Sequence, residues 1–231
     1  MMIETIEDHT IHTRFLSSNS RVLDLGANRG SFSKAMITRF GCQCVAVEPN
    51  PKLFEKIEPH ELLKKYNLAI AHFSGSVNFN VSEVSVSSSI VYRSKLHSKT
   101  ITVSCQPLEE FVIELGWTGV DLIKMDIEGA EINVFHKCSD SFLKSIGQIT
   151  VEFHDHNETV SKSEVKELIK RFESLGFRCY SKYLGCYYDT LFINQSLCPI
   201  SIGEYLWIRH IIRNQQGLQR RFQKLLAAAS S

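Results

Sequence analysis

Five side chains able to hold a proton, a cation or a hydroxyl group stand at the ends of apolar runs. Glu48 follows Cys42–Val47, Asp126 follows Val120–Met125 with Glu128 two residues on, and Glu152 and His154 close Gln148–Phe153. An acid at the carboxyl tip of a buried strand lies where open α/β sheets bind their ligands. Glu48 also lies roughly 20 residues past Gly26, the spacing at which an acid meets ribose hydroxyls. Glu152 and His154 are two apart and leave the same strand face. If the strands ending at Asp126 and Phe153 are neighbours, Asp126, Glu152 and His154 converge, the arrangement expected of an acid–base centre. Lys124 sits two before Asp126 inside an apolar strand, where burial requires a partner. A buried ion pair is the role read for it.

These residues need a scaffold, and the stretch Arg21-Val-Leu-Asp-Leu-Gly-Ala-Asn-Arg-Gly30 supplies its first unit. An apolar strand runs into Gly26 and Gly30. A helical pattern follows, with Phe32, Ala35, Met36 and Phe40 at three- and four-residue steps. Strand, glycine turn and helix open a nucleotide-binding α/β sheet, with unpaired N–H groups at the helix start. The pattern then predicts a helix capped by Asn50, opened by Pro51 and running through Ile57. A third strand is expected over Tyr66–Ala71. Val77–Val81 and Ile101–Val103 alternate as a pair of strands, with the serine-rich Ser82–Lys99 between them as a loop over the acceptor side. A helix is read from Pro107 to Leu115, and another from near Glu128. A capping box at Ser161 and Glu164 begins a helix ending at Gly176. Phe177–Tyr183 and Asp189–Asn194 make the last two strands.

Length and composition fit one such domain. The chain has 231 residues, 43% hydrophobic and 22% charged, with a formal net charge of +1. No global field draws it to nucleic acid or membrane, and no apolar run reaches the roughly 20 residues of a bilayer span. The seven cysteines are scattered without paired zinc motifs. They read as reduced thiols, and the acidic first residues lack an apolar signal core, so the expected location is cytoplasmic. Residues 1–20 read as a polar lead-in whose His9 and His12 are surface residues. Residues 21–195 form the enzyme domain. Residues 196–231 form a basic amphipathic helical tail, whose apolar stripe is expected to pack on its own domain or to form a homodimer.

Four motifs occur in order: Asp24-Leu-Gly-Ala-Asn-Arg-Gly-Ser-Phe32, Val45-Ala-Val-Glu-Pro-Asn-Pro51, Asp121-Leu-Ile-Lys-Met-Asp-Ile-Glu-Gly-Ala-Glu131 and Val151-Glu-Phe-His154. Together they resemble the FkbM family of S-adenosylmethionine-dependent methyltransferases. The resemblance implies a Rossmann-like class I fold: a seven-stranded, mostly parallel sheet with the last strand antiparallel and helices on both faces. It implies S-adenosylmethionine as cofactor and O-methylation of a glycan or small-molecule acceptor. Carried over by position, Gly26, Asn28 and Gly30 face the methionine half of the cofactor and Glu48 its ribose. Asn67 lies near the adenine and Asp126 near the methyl group. Asp24, Phe32, Pro49 and Glu128 complete the cofactor set. Within this reading His154 is the natural base for the acceptor hydroxyl, oriented by Asp126 or Glu152. A second version puts a divalent cation on Asp126, Glu152 and His154. The metal-free version is the one adopted, so no metal ligand is assigned. A nicotinamide oxidoreductase would share the strand, turn and ribose acid, but Asn28 and Ser31 stand where its second and third glycines belong. A non-catalytic protein of the same fold, binding a partner through the basic tail, is the other alternative.

Overall fold

A computed structural model describes residues 2–82, 88–89, 98–154, 160–183 and 185–209. The chain opens with a hairpin of β1 (Ile3–Ile6) and β2 (His9–His12), joined by Glu7 and Asp8 with φ of 46° and 66°. Two central residues at positive φ suit the twist of a two-residue hairpin. The expected polar lead-in is therefore an ordered element. His9 and His12, read as surface residues, are 3% and 0% exposed. Long-range contacts bury them. Thr10 donates its N–H (3.0 Å) and its hydroxyl (2.5 Å) to Asp189, and Gln148 exchanges two bonds with the His12 backbone.

Next come β3 (Arg21–Leu25), α1 (Ser31–Phe40), β4 (Gln43–Val47), the short α2 (Pro51–Phe54) and β5 (Leu63–Tyr66). The apolar stripe of α1 buries Phe32, Met36 and Ile37 against Val22, Cys44 and Leu122. Asn50 caps α2 by accepting from the Lys52 N–H, as its position predicts. The helix ends at Phe54, short of Ile57.

The third strand departs from expectation. Tyr66 ends β5, and β6 (Ala69–Ala71) joins a separate sheet with β7 (Gly75–Ser82), β8 (Ser88–Ser89) and β9 (Ser98–Pro107). Asn67 sits at the break, and its amide donates to the carbonyls of Glu48 (2.8 Å) and Pro49 (3.1 Å). Those bonds tie the chain to the end of β4 where it leaves the main sheet. The expected pairing of Val77–Val81 with Ile101–Val103 is present. Most of the expected loop Ser82–Lys99 lies outside the described residues.

The remaining elements are α3 (Leu108–Glu114), β10 (Val120–Met125), α4 (Glu131–Lys137), α5 (Asp140–Lys144), β11 (Ile146–Val151), α6 (Lys162–Ser174), β12 (Phe177–Ser181) and β13 (Thr190–Asn194). The Ser161–Glu164 capping box opens α6. The main sheet has seven strands in the order β12-β13-β11-β10-β3-β4-β5. The last, β13, runs antiparallel to both β11 and β12. This is the class I methyltransferase fold. The largest core cluster joins β10, β11 and β13 to α4 and α6, with Phe135 from α4, Phe172 from α6 and Phe192 from β13. Residues 202–209 are helical, and residues 210–231 of the basic tail lie outside the described residues. All seven cysteines are free thiols. No helix among the described residues is long and apolar enough to cross a membrane.

The strand order reverses beside β3, which pairs with β4 on one side and β10 on the other. Such a switch point opens a crevice at the carboxyl ends of the strands. Gly26, Glu48 and Asp126 follow those three ends directly.

Candidate active site

Gly26 is required by the fold before any ligand is considered. Its φ is 75°, and a Cβ there would stand 1.8 Å from the Asp126 carbonyl oxygen. The backbone turns sharply across the end of β10. The N–H groups of Gly26 and Ala27 both donate to the Val47 carbonyl at 3.0 Å. Asn28 follows at φ 52°, and its N–H donates to Glu48 Oε2 at 2.7 Å. The Asn50 N–H donates to Oε1 at 2.8 Å. Glu48 is thus fixed at the tip of β4 with 4% of its surface exposed. Burial pushes its carboxyl up to about 7, against the two backbone donors, which favour the charged form.

Gly26, Asn28, Glu48, Pro49, Asp126 and Glu128 line one cleft, with about 530 Å³ of atom-free space including its open mouth. Its apolar wall is Val47, Leu53, Leu68, Ile70 and Phe79. Sequence reasoning missed this wall. The alternation through Phe79 was visible, but not that the small sheet folds against the cleft.

Four residues of the expected cofactor set lie outside that lining. Asp24 is buried beneath the turn, accepting from the Ser33 N–H (3.2 Å) and hydroxyl (2.7 Å). Phe32 packs in the core, edge-on to His9 at 5.8 Å. A Cβ on Gly30 would meet Ile57 Cγ2 at 3.0 Å, so this glycine serves the packing at the start of α1. Asn67 ties backbone together, as described above.

Lys124 is the buried ion-pair residue expected. Its Nζ donates to the Gly26 carbonyl at 2.8 Å and lies 3.4 Å from Asp24 and 3.7 Å from Asp126. Beyond β10 the chain differs from the reading of a helix starting near Glu128. Glu128 has φ 60° and Gly129 φ 103°, so the helix begins at Glu131. The Glu131 carboxylate accepts from the N–H groups of Ile127 and Gly129, both at 3.1 Å. This bracing turns Glu128 back toward the sheet.

Because β10 and β11 are parallel neighbours, Asp126, Glu152 and His154 do converge. His154 Nε2 is 3.1 Å from Glu128, 3.6 Å from Glu152 and 3.8 Å from Asp126, and Nδ1 is 3.4 Å from Glu131. Burial alone would lower its pKa, but Glu128 and Glu131 outweigh it and push the ring up to about 11. Burial, and then Asp126, push Glu152 up to about 8, and burial also raises Asp126. His154 is a cation at neutral pH, whereas a base needs a neutral ring. A second histidine reaches the same place. His9, at the start of β2, has a ring nitrogen within 4.8 Å of carboxylate oxygens of Asp126 and Glu152. Burial, with Lys124 and Lys182, holds its pKa well below the ordinary value.

The sequence model of the methyltransferase FkbM domain matches residues 24–179, more than half of the chain. The chain belongs to the FkbM methyltransferase family. One relative is the 2-O-methyltransferase NoeI of Sinorhizobium fredii, 26% identical over 144 residues. That match takes in 54% of this chain and 59% of NoeI, so the FkbM chain spans less than two thirds of the relative's length. Solved structures of similar fold include an rRNA methylase from Streptococcus thermophilus, 11% identical, with a TM-score of 0.45 over 78% of this chain and 88% of that one. Another is the precorrin-6y C5,15-methyltransferase of Geobacter metallireducens, 11% identical, with a TM-score of 0.39 over 77% and 80%.

Proposed function

We propose that this chain transfers a methyl group from S-adenosylmethionine to a hydroxyl of a sugar, glycan or other small-molecule acceptor. The observation that carries the reading is Glu48, buried at the tip of β4 and facing the cleft beside the Gly26–Asn28 turn. A carboxylate offers about four lone-pair sites, and the two backbone donors leave capacity for a pair of ribose hydroxyls. The apolar wall through Leu53, Ile70 and Phe79 suits a flat base, and Gly26, Asn28 and Asp126 would hold the methionine half. These residues fit the cofactor. When bound, it supplies a methyl group on a sulfonium centre.

The protein's own task is to align an acceptor oxygen and receive its proton. Asp126 lies where the cleft meets the cluster around His154. Asp126, or Glu152 once it is ionised near pH 8, accepts the hydroxyl proton, while charged His154 holds the surrounding carboxylates in place. The base role read for His154 from sequence thus passes to a carboxylate, because Glu128 and Glu131 keep the ring protonated. Choice of oxygen as the methylated atom rests on the 2-O-methyltransferase relative and on these proton acceptors.

Calorimetry with S-adenosylmethionine tests the cofactor site. Glu48→Ala should weaken binding by about 1–3 kcal/mol, the loss expected for hydrogen bonds to a charged group. Wild-type affinity in that variant would reject the site. Incubation with labelled S-adenosylmethionine and a panel of glycans and hydroxylated small molecules tests the acceptor class. Label on nitrogen or carbon alone would reject O-methylation.

A further inference from the structure

The acidic cluster contains a grouping that methyl transfer does not itself require. His9, Asp126 and Glu152 come from β2 and from the ends of β10 and β11, three separate elements. One ligand atom from each lies within 4.8 Å of the others. His9 is 3% exposed, and its Nδ1 makes no hydrogen bond among the described residues. Asp126 Oδ1 is likewise buried without a hydrogen bond, with the His154 ring 3.8 Å away. A buried polar atom left unsatisfied costs about 1–3 kcal/mol. A buried His9 in this state, with a ring nitrogen among these carboxylate oxygens, calls for a partner. That partner is a cation, because the carboxylates of Asp126, Glu128, Glu131 and Glu152 crowd here against Lys124 and His154.

We propose that His9, Asp126 and Glu152 bind one divalent cation at the acceptor end of the cleft. Two carboxylates and one imidazole suit manganese or magnesium, with the imidazole favouring manganese. The hairpin holds His9 in position beforehand, through the Thr10 bonds to Asp189 and the Gln148 bonds to His12. His154 is not the ligand. Its Nε2, the nitrogen on the side of Asp126 and Glu152, is held by Glu128 at 3.1 Å, and its Nδ1 lies 3.4 Å from Glu131. Part of Asp126 and Glu152 remains open to solvent, with 27% and 14% of their side chains exposed, which leaves the cation a face for an acceptor oxygen. A cation there would lower the pKa of that oxygen. This effect on an acceptor rests on the methyl-transfer reading above, whereas the binding of the cation does not.

The test is titration of manganese(II) into the chelator-treated full chain, followed by electron paramagnetic resonance without cofactor or acceptor. One ion per chain is expected, with nitrogen coupling from a bound imidazole. His9→Gln should remove the coupling and weaken affinity about tenfold or more, the least expected when even a supporting group of a metal site is lost. Glu152→Gln should weaken affinity with the coupling retained, and His154→Gln should retain the coupling. Absence of stoichiometric binding in the wild type overturns the proposal. So does coupling that survives in His9→Gln or disappears in a His154→Gln chain shown by circular dichroism to be folded. The wild-type spectrum and Glu152→Gln keep the proposal testable if His9→Gln does not fold. S-adenosylmethionine binding, measured separately, reports on the methyltransferase reading alone.

Discussion

His154 stands among more negative charge than it can balance, and this decides what its removal would do. Taking one partner out of a buried charged cluster costs about 3–5 kcal/mol, because the remaining charges lose their compensation. His154→Gln should therefore lower stability by that order. The pH dependence has a definite sign. The folded pKa of about 11 is above the ordinary value of 6.5, so the stabilisation is fully present below pH 6.5 and is lost as pH rises toward 11. Urea unfolding at pH 6.5, 8 and 10 should show the gap between wild type and variant narrowing steadily. A gap that stays constant would mean that the ring is neutral in the folded protein, which would restore it as a candidate base. Sequence could place His154 beside Asp126 and Glu152, since strand ends and two-residue spacing are local facts. It could not show Glu128 turning back at φ 60°, because that depends on Glu131 bracing the loop from the next helix.

Two elements carry the site, and they were unequally legible. The unit of β3, turn and α1 follows from apolar periodicity and glycine placement, and it lies where the pattern puts it. Its Gly26 serves the approach of β3 to β10 before it serves a ligand. Gly26→Ala should cost about 1–3 kcal/mol for overpacking and about 1–2 kcal/mol more for the left-handed backbone. Thermal unfolding without ligand would reveal this, and a variant of wild-type stability that merely lost cofactor would contradict the geometry. The β1–β2 hairpin was not legible. Its anchors, Gln148 and Asp189, lie 136 and 179 residues from their partners, a separation that no local pattern encodes. Splitting of the third strand at Asn67 escaped for the same reason, since its side chain answers to carbonyls 18 and 19 residues away. Gln148→Ala leaves the His12 N–H and carbonyl without partners, at about 1–3 kcal/mol for each buried group. Hydrogen exchange should then rise in β1 and β2 well before it rises in β3 or β10. Uniform acceleration across the chain would show that the hairpin does not open separately.

Across the whole molecule, ligand binding and stability are coupled through Glu48. A ligand that binds only the folded chain stabilises it by about 2.7 kcal/mol at 100 times its dissociation constant. For a chain of this size each kcal/mol raises Tm by about 2–4 °C, so S-adenosylmethionine at that level should raise Tm by about 5–11 °C. The size of the shift should depend on pH. In the free protein burial holds the Glu48 carboxyl up to about 7, so below that pH it is largely protonated. In the proposed complex ribose hydroxyls would donate to it, which favours the charged form. Binding therefore expels a proton at pH 6–7, and affinity climbs as pH rises through 7 before levelling off. The Tm gain at a fixed cofactor concentration should shrink from pH 8 to pH 6. The heat of binding at pH 6.5 should vary with the ionisation enthalpy of the buffer. Glu48→Gln cannot titrate, so its weaker affinity should be flat over the same interval and its binding heat the same in every buffer. Equal Tm gains at pH 6 and pH 8 in the wild type would mean that Glu48 does not receive the ribose, and the cofactor would have to lie elsewhere in the cleft.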